Sequence, residues 1–171
     1  MKNHHKTILI PALSLLLIMA LGIGAVVIAA ADNPSKAPTA AEAATPWQWA
    51  EVAGSPRFIN PNGAIEVTPL IEPKPESNSS IYMGYAIFHA GAEVAVHQHD
   101  DADEYLYFLS GEGEAIVGGK TVPVKPNSAI YLPKGVAHSF KNTGAADVIA
   151  VQVYSPSGPE KRFKQWKLGT K

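Results

Sequence analysis

The chain has 171 residues, with 14 basic and 15 acidic side chains and no cysteine. That length suits one domain with appendages and is too short for two ordinary domains. The near-neutral charge excludes the basic profile of a nucleic-acid-binding chain, so no DNA or RNA partner is expected, and without cysteine there are no disulfides and no thiol to carry a lipid.

Residues 1–31 read as a targeting segment. Lys2 and Lys6 form a basic start, Thr7 to Ile28 carries no charge, and Ala29-Ala30-Ala31 supplies the small residues of a cleavage site before Asp32. The uncharged run is longer than an ordinary signal core, and about 20 apolar residues span a bilayer. Two outcomes therefore stay open: a cleaved signal peptide, or an uncleaved membrane anchor, which would be the chain's only link to a membrane. In both, the basic end stays inside and the remainder is extracytoplasmic, whether periplasmic, secreted or anchored. Cleavage after Ala31 removes Lys2 and Lys6 and leaves 12 basic against 15 acidic residues, a net charge of −3. Residues 32–46, rich in Ala, Pro, Ser and Thr, cannot bury much apolar surface and read as a linker.

Residues 47–171 are expected to form the single folded domain. Trp47, Trp49 and Phe58 open it as core or barrel-edge residues. From Ala64 onward, short β-prone runs alternate with turn signals. The expected strands are Ile65 to Leu70, Ile81 to His89, Val94 to His97, Glu104 to Leu109, Glu114 to Val117, Lys120 to Val124, Ala129 to Leu132, Ala137 to Lys141 and Val148 to Tyr154. Gly118-Gly119 is a two-residue hairpin turn, and Gly111-Glu112-Gly113 is a second tight reversal. No amphipathic helix interrupts the series, so the fold class is all-β.

One stretch of this series carries chemistry. His97 and His99 lie two apart, so on a strand both imidazoles project from one face while Gln98 turns away. Glu104 opens the next run, and the turn between can bring it back beside the pair. His138 follows the turn Pro133-Lys134-Gly135 and leads into Phe140. Strand parity places Leu106 and Phe108 on the inward face with Glu104, Tyr105 and Tyr107 on the outward one, and Phe140 with His138. Gln152 and Tyr85 are each readable as polar lining residues or as outward ones.

The spacing of these residues resembles the two motifs of the cupins. Gly91, His97-x-His99, Glu104 and Gly111 match the first, and Pro133-x-Gly135-x-x-His138-x-x-x-Asn142 matches the second. One position departs, since Asn127 stands where the second motif usually opens with glycine; Asn tolerates positive φ best among other residues, so the turn can still form. The resemblance spans roughly residues 65 to 155. It implies a small double-stranded β-helix, or jelly-roll barrel, of the RmlC-like kind.

The resemblance also implies one divalent transition-metal ion (Mn, Fe, Ni, Co or Zn) held by His97, His99, Glu104 and His138, a donor set without thiolate. Positions left open on such an ion would admit a substrate. The implied activities are those of dioxygenases, oxalate-degrading enzymes and isomerases acting on a small, oxygen-rich molecule. Whether the chain is an enzyme stays open: a non-catalytic protein that uses the ion to grip a carboxylate or a sugar is the alternative. A homodimer is expected, because cupin barrels often pair through sheet faces.

Other features are read as structural. His89 lies outside both motifs, at a strand end. Asp100, Asp101 and Asp103 form a solvated turn without the glycine and distal glutamate of a calcium loop. Asn78-Ser79-Ser80 is a formal glycosylation sequon. The tail from Glu160, with five basic residues from Lys161 to Lys171, reads as a strand-like cover with a solvated basic face in preference to a contact for anionic lipid.

Overall fold

The computed structural model describes residues 47–75 and 79–169. The readings of residues 1–31 and 32–46, and of Asn78, lie outside the described residues. Among these no helix is long and apolar enough to cross a membrane.

The strands in chain order are β1 (Phe58–Ile59), β2 (Ile65–Ile71), β3 (Tyr82–Phe88), β4 (Glu93–His97), β5 (Asp103–Ser110), β6 (Gly113–Val117), β7 (Lys120–Val124), β8 (Ser128–Leu132), β9 (His138–Asn142), β10 (Val148–Ser155) and β11 (Lys167–Leu168). They form two antiparallel sheets: seven strands in the order β11-β1-β2-β3-β10-β5-β8, and four in the order β4-β9-β6-β7. The non-sequential neighbours are those of a jelly roll, as the motifs implied.

Period-two burial shows why these runs are strands. Along β3, Tyr82, Gly84, Ala86 and Phe88 are buried while the residues between are only partly so, and β10 alternates the same way from Val148 to Tyr154. These inward side chains build one core. Phe140 from the smaller sheet meets Phe88 edge-on at 4.9 Å between centroids and stacks on Phe108 at 5.9 Å, so aromatic contacts join the two sheets.

The turns follow from backbone chemistry. Gly118 and Gly119 both have positive φ, which the two-residue hairpin between β6 and β7 requires. Asn127 does adopt the left-handed conformation, at φ 62°, and its N–H donates to Phe108 O at 2.8 Å.

Two expectations change. Trp47 and Trp49 are 52% and 43% exposed, and only Phe58 of the three packs against the core. Gln48 between them makes the anchor instead, donating from Nε2 to Glu72 O at 2.7 Å. The tail is not strand-like throughout: Pro159–Gln165 is a 3-10 helix, with proline at its start and Phe163 buried beneath it. Only Lys167–Leu168 is extended, pairing with β1.

Candidate metal centre

The four side chains singled out in the sequence come together between the two sheets. His97 ends β4, His138 opens β9, and the two are direct partners across that ladder. Glu104 lies on β5 of the larger sheet. His99 follows β4, and its backbone oxygen accepts the N–H of Gly135 at 2.7 Å, which pins the turn preceding His138. One ligand atom from each of His97, His99, Glu104 and His138 can be chosen so that all lie within 4.8 Å of one another.

The ring orientations are fixed from behind. His97 Nδ1 lies 2.9 Å from Ala95 O and His138 Nδ1 lies 2.8 Å from Val136 O. A carbonyl only accepts, so both Nδ1 atoms bear the proton and each neutral ring keeps its Nε2 lone pair for the cluster. This is the arrangement by which metal-ligating histidines are oriented. His99 Nε2 lies 3.0 Å from Glu104 Oε2, and Gln152 Nε2 donates to Glu104 Oε1 at 2.6 Å, so the carboxylate is held at both oxygens. His138 Nε2 is buried and lies 3.2 Å from the same Oε2, within ion-pair distance but without a hydrogen bond. Three converging imidazoles, one carboxylate and a buried nitrogen left without a hydrogen bond fit a divalent first-row ion.

Electrostatics sort these groups. Burial works against ionisation of Glu104, yet His138, His99 and Gln152 outweigh it and bring its pKa down from 4.5 to about 2. Burial lowers the pKa of His97, keeping it neutral and able to coordinate. Burial acts in the same sense on His138, but Glu104 beside it wins and raises the value. An ion must therefore displace a proton from His138 over part of the pH range.

The cluster opens on a cavity of about 360 Å³ between the sheets. Leu106 and Phe108 line it from β5 and Phe140 from β9, in agreement with strand parity, while Tyr105 and Tyr107 face out. Gln152 lines the cavity; Tyr85 alternates onto the opposite face of the sheet. Three lining residues come from the tail: Arg162, Phe163 and Trp166. Read as a run of basic residues, the tail hid them; the signal was the pair of aromatics, Phe163 and Trp166, among its lysines. His89 stands apart, between Glu66 at 3.3 Å and Asp147 at 3.1 Å. Asp103 is no solvated turn residue but begins β5 and accepts the Lys134 N–H at 2.9 Å.

A family model described as Cupin domain matches residues 84–154, the segment that includes all four side chains. A protein of Streptomyces coelicolor is 33% identical over 81 residues, covering 47% of this chain and 73% of that protein. The chain belongs to the cupin superfamily. It is also similar to the polyketide synthase CurC of Streptomyces cyaneus, at 29% identity over 91 residues; the match takes in 53% of this chain and 59% of that protein, less than two thirds of its length. Among solved structures, a predicted oxalate decarboxylase from Thermotoga maritima superposes with a TM-score of 0.54 at 28% identity, over 61% of this chain and 95% of that one.

Proposed function

We propose that this cupin is a metal-dependent enzyme acting on a small, oxygen-rich substrate outside the cytoplasm. The observation that supports it best is the convergence of His97, His99, Glu104 and His138, with the His138 Nε2 buried, not hydrogen-bonded and facing Glu104, at the polar end of a mostly apolar cavity. His97, His99, Glu104 and His138 would hold one divalent ion (Mn, Fe, Ni, Co or Zn), which when bound supplies Lewis acidity or a site for O₂. The chain's own contribution is to orient the donors through Ala95 O, Val136 O and Gln152, and to surround the substrate with apolar walls.

A second reading, a non-catalytic binding protein, draws on one observation. The side chain that braces Glu104 is the amide of Gln152, which cannot transfer a proton. Elemental analysis of protein purified without a metal-binding tag tests the ion. Turnover of candidate hydroxy acids, oxalate and catechols by the loaded protein then separates the two readings, since binding without product would leave only the second.

The proposal places the barrel outside the cytoplasm through residues 1–31. Intact mass from the native host should begin at Asp32, or show a full-length species in the membrane fraction; a soluble full-length cytoplasmic form would sink it. We also propose a homodimer, because Tyr105, Tyr107, Leu109 and Tyr131 stand exposed on the outer face of the seven-stranded sheet.

A further inference from the structure

Arg162 stands on the cavity wall without a carboxylate. It comes from the 3-10 helix, is half-buried, and its Nη2 donates to Tyr154 Oη at 3.1 Å. The guanidinium carbon lies 4.9 Å from the centroid of the Phe163 ring. Among the described residues Arg162 makes no ion pair. The nearest acid in sequence, Glu160, instead accepts the N–H of Gly158. Arg162 lies beyond residues 84–154, so the family match does not assign it a role.

Its charge belongs to the site. Arg162 lines the same cavity as His97, Glu104 and His138. Around a divalent ion, three neutral imidazoles and one carboxylate leave one net positive charge, and Arg162 adds a second. The remaining wall is mostly apolar, including Leu106, Phe108, Ile130 and Phe140; its one other carboxylate, Glu93, is largely exposed and already paired with Lys141, and Ser139 and Gln152 carry no charge. Positive charge facing such a wall is costly unless the ligand brings the negative charge. A guanidinium is the side chain suited to bidentate grip on a carboxylate, and its stacking on Phe163 holds the plane of the fork.

We propose that Arg162 anchors the carboxylate of a small organic acid, whose neighbouring oxygen is directed at the His97, His99, Glu104 and His138 cluster and whose apolar body fills the cavity. This rests on the metal reading above and narrows it from oxygen-rich molecules to carboxylates. It excludes neutral sugars and esters as preferred ligands. Because Arg162 is not one of the four candidate donors, its loss should act on ligand affinity while the donor set stays complete.

The test uses the full chain loaded with zinc, with benzoylformate, a 2-oxo carboxylate with an apolar body, and its uncharged methyl ester as probes in calorimetry. Wild type should bind the acid at least about 10-fold more tightly than the ester, the scale of one charged hydrogen bond. Arg162→Gln should weaken the acid about 10-fold or more, leave the ester unchanged and keep the zinc content of wild type; Arg162→Lys should fall between. Equal affinities of wild type for acid and ester, an unweakened acid in Arg162→Gln, or no acid binding at all, each with one zinc per chain, overturns the proposal alone. The acid-to-ester ratio in wild type decides the matter even if a variant misfolds. A wild-type protein that retains no zinc overturns the metal reading first, and elemental analysis tells the two failures apart.

Discussion

The N–H of Gly135 donates to the carbonyl of His99 across 2.7 Å, and that bond joins the two sequence motifs that supply the ligands. Gly135 has φ 77°, a left-handed conformation in which glycine is free of strain. Any other residue would disfavour the turn that sets His138 opposite His97. The arrangement of the four candidate ligands thus depends on a residue that is not one of them.

Removing one imidazole should show this directly. His138→Ala leaves three donors and should weaken metal binding at least about 10- to 100-fold, the loss typical of changes merely behind a ligand. Gly135→Val should weaken binding while every donor stays in place, whereas His89→Ala, outside the cluster, should leave it unchanged. Competition against a chromophoric chelator reads all three; full affinity in His138→Ala would sink the four-donor assignment.

Acid stability should trace Glu104. Its pKa falls from the ordinary 4.5 to about 2 on folding, so the ionised carboxylate favours the folded state, fully above pH 4.5 and progressively less as pH drops toward 2. The metal-free protein should therefore lose Tm steeply across that window. Glu104→Gln, which cannot titrate, should flatten that limb. Scanning calorimetry between pH 2 and 7 makes the comparison, and identical slopes would contradict it.

Asn142 predicts a stability defect without a metal defect of its own. Its side chain is 1% exposed; its amide donates to Phe88 O, His89 O and Ala146 O, and its Oδ1 accepts the Gly144 N–H. Asn142→Ala removes all four of these bonds, of which the one to Phe88 O is fully buried; His89 O keeps the Ala92 N–H, and the cost is about 1–3 kcal/mol for each group left unsatisfied. Urea denaturation should show a loss of at least a few kcal/mol, against a near-neutral change for Lys125→Ala on the surface.

The proposed homodimer would pair through the outer face of the seven-stranded sheet. Tyr105 and Tyr131 stack at 5.0 Å on the exposed sheet face, so Tyr131→Glu should place a charge in the interface and shift light scattering to the monomer mass. A monomeric wild type at high concentration removes the expectation.

Much of the centre was legible because strands enforce parity. Once Glu104 faced inward, Leu106 and Phe108 had to follow, and the structure agrees. The turn at Asn127 was legible because so few residues accept its φ. What escaped was long-range. Phe163 and Trp166 signal that the tail packs somewhere, but nothing local in Lys161 to Lys167 says which wall receives Arg162 and Phe163, since that depends on β11 meeting β1 across the domain. Trp47 and Trp49 misled for the converse reason: aromatic side chains imply burial only where a surface exists to receive them.

The pairing of Phe58 with Leu168 and of Ile59 with Lys167 has a consequence in time. Residues 159–168 are synthesised after every strand of the two main layers they adjoin, so the emerging chain has both layers before it has the wall bearing Arg162. With those layers in place, the loop left to close runs only from the end of β10 at Ser155 to β11, and Phe163 is buried as it closes. A chain ending before Pro159 would have both layers but lack the part of the cavity wall that Arg162, Phe163 and Trp166 supply.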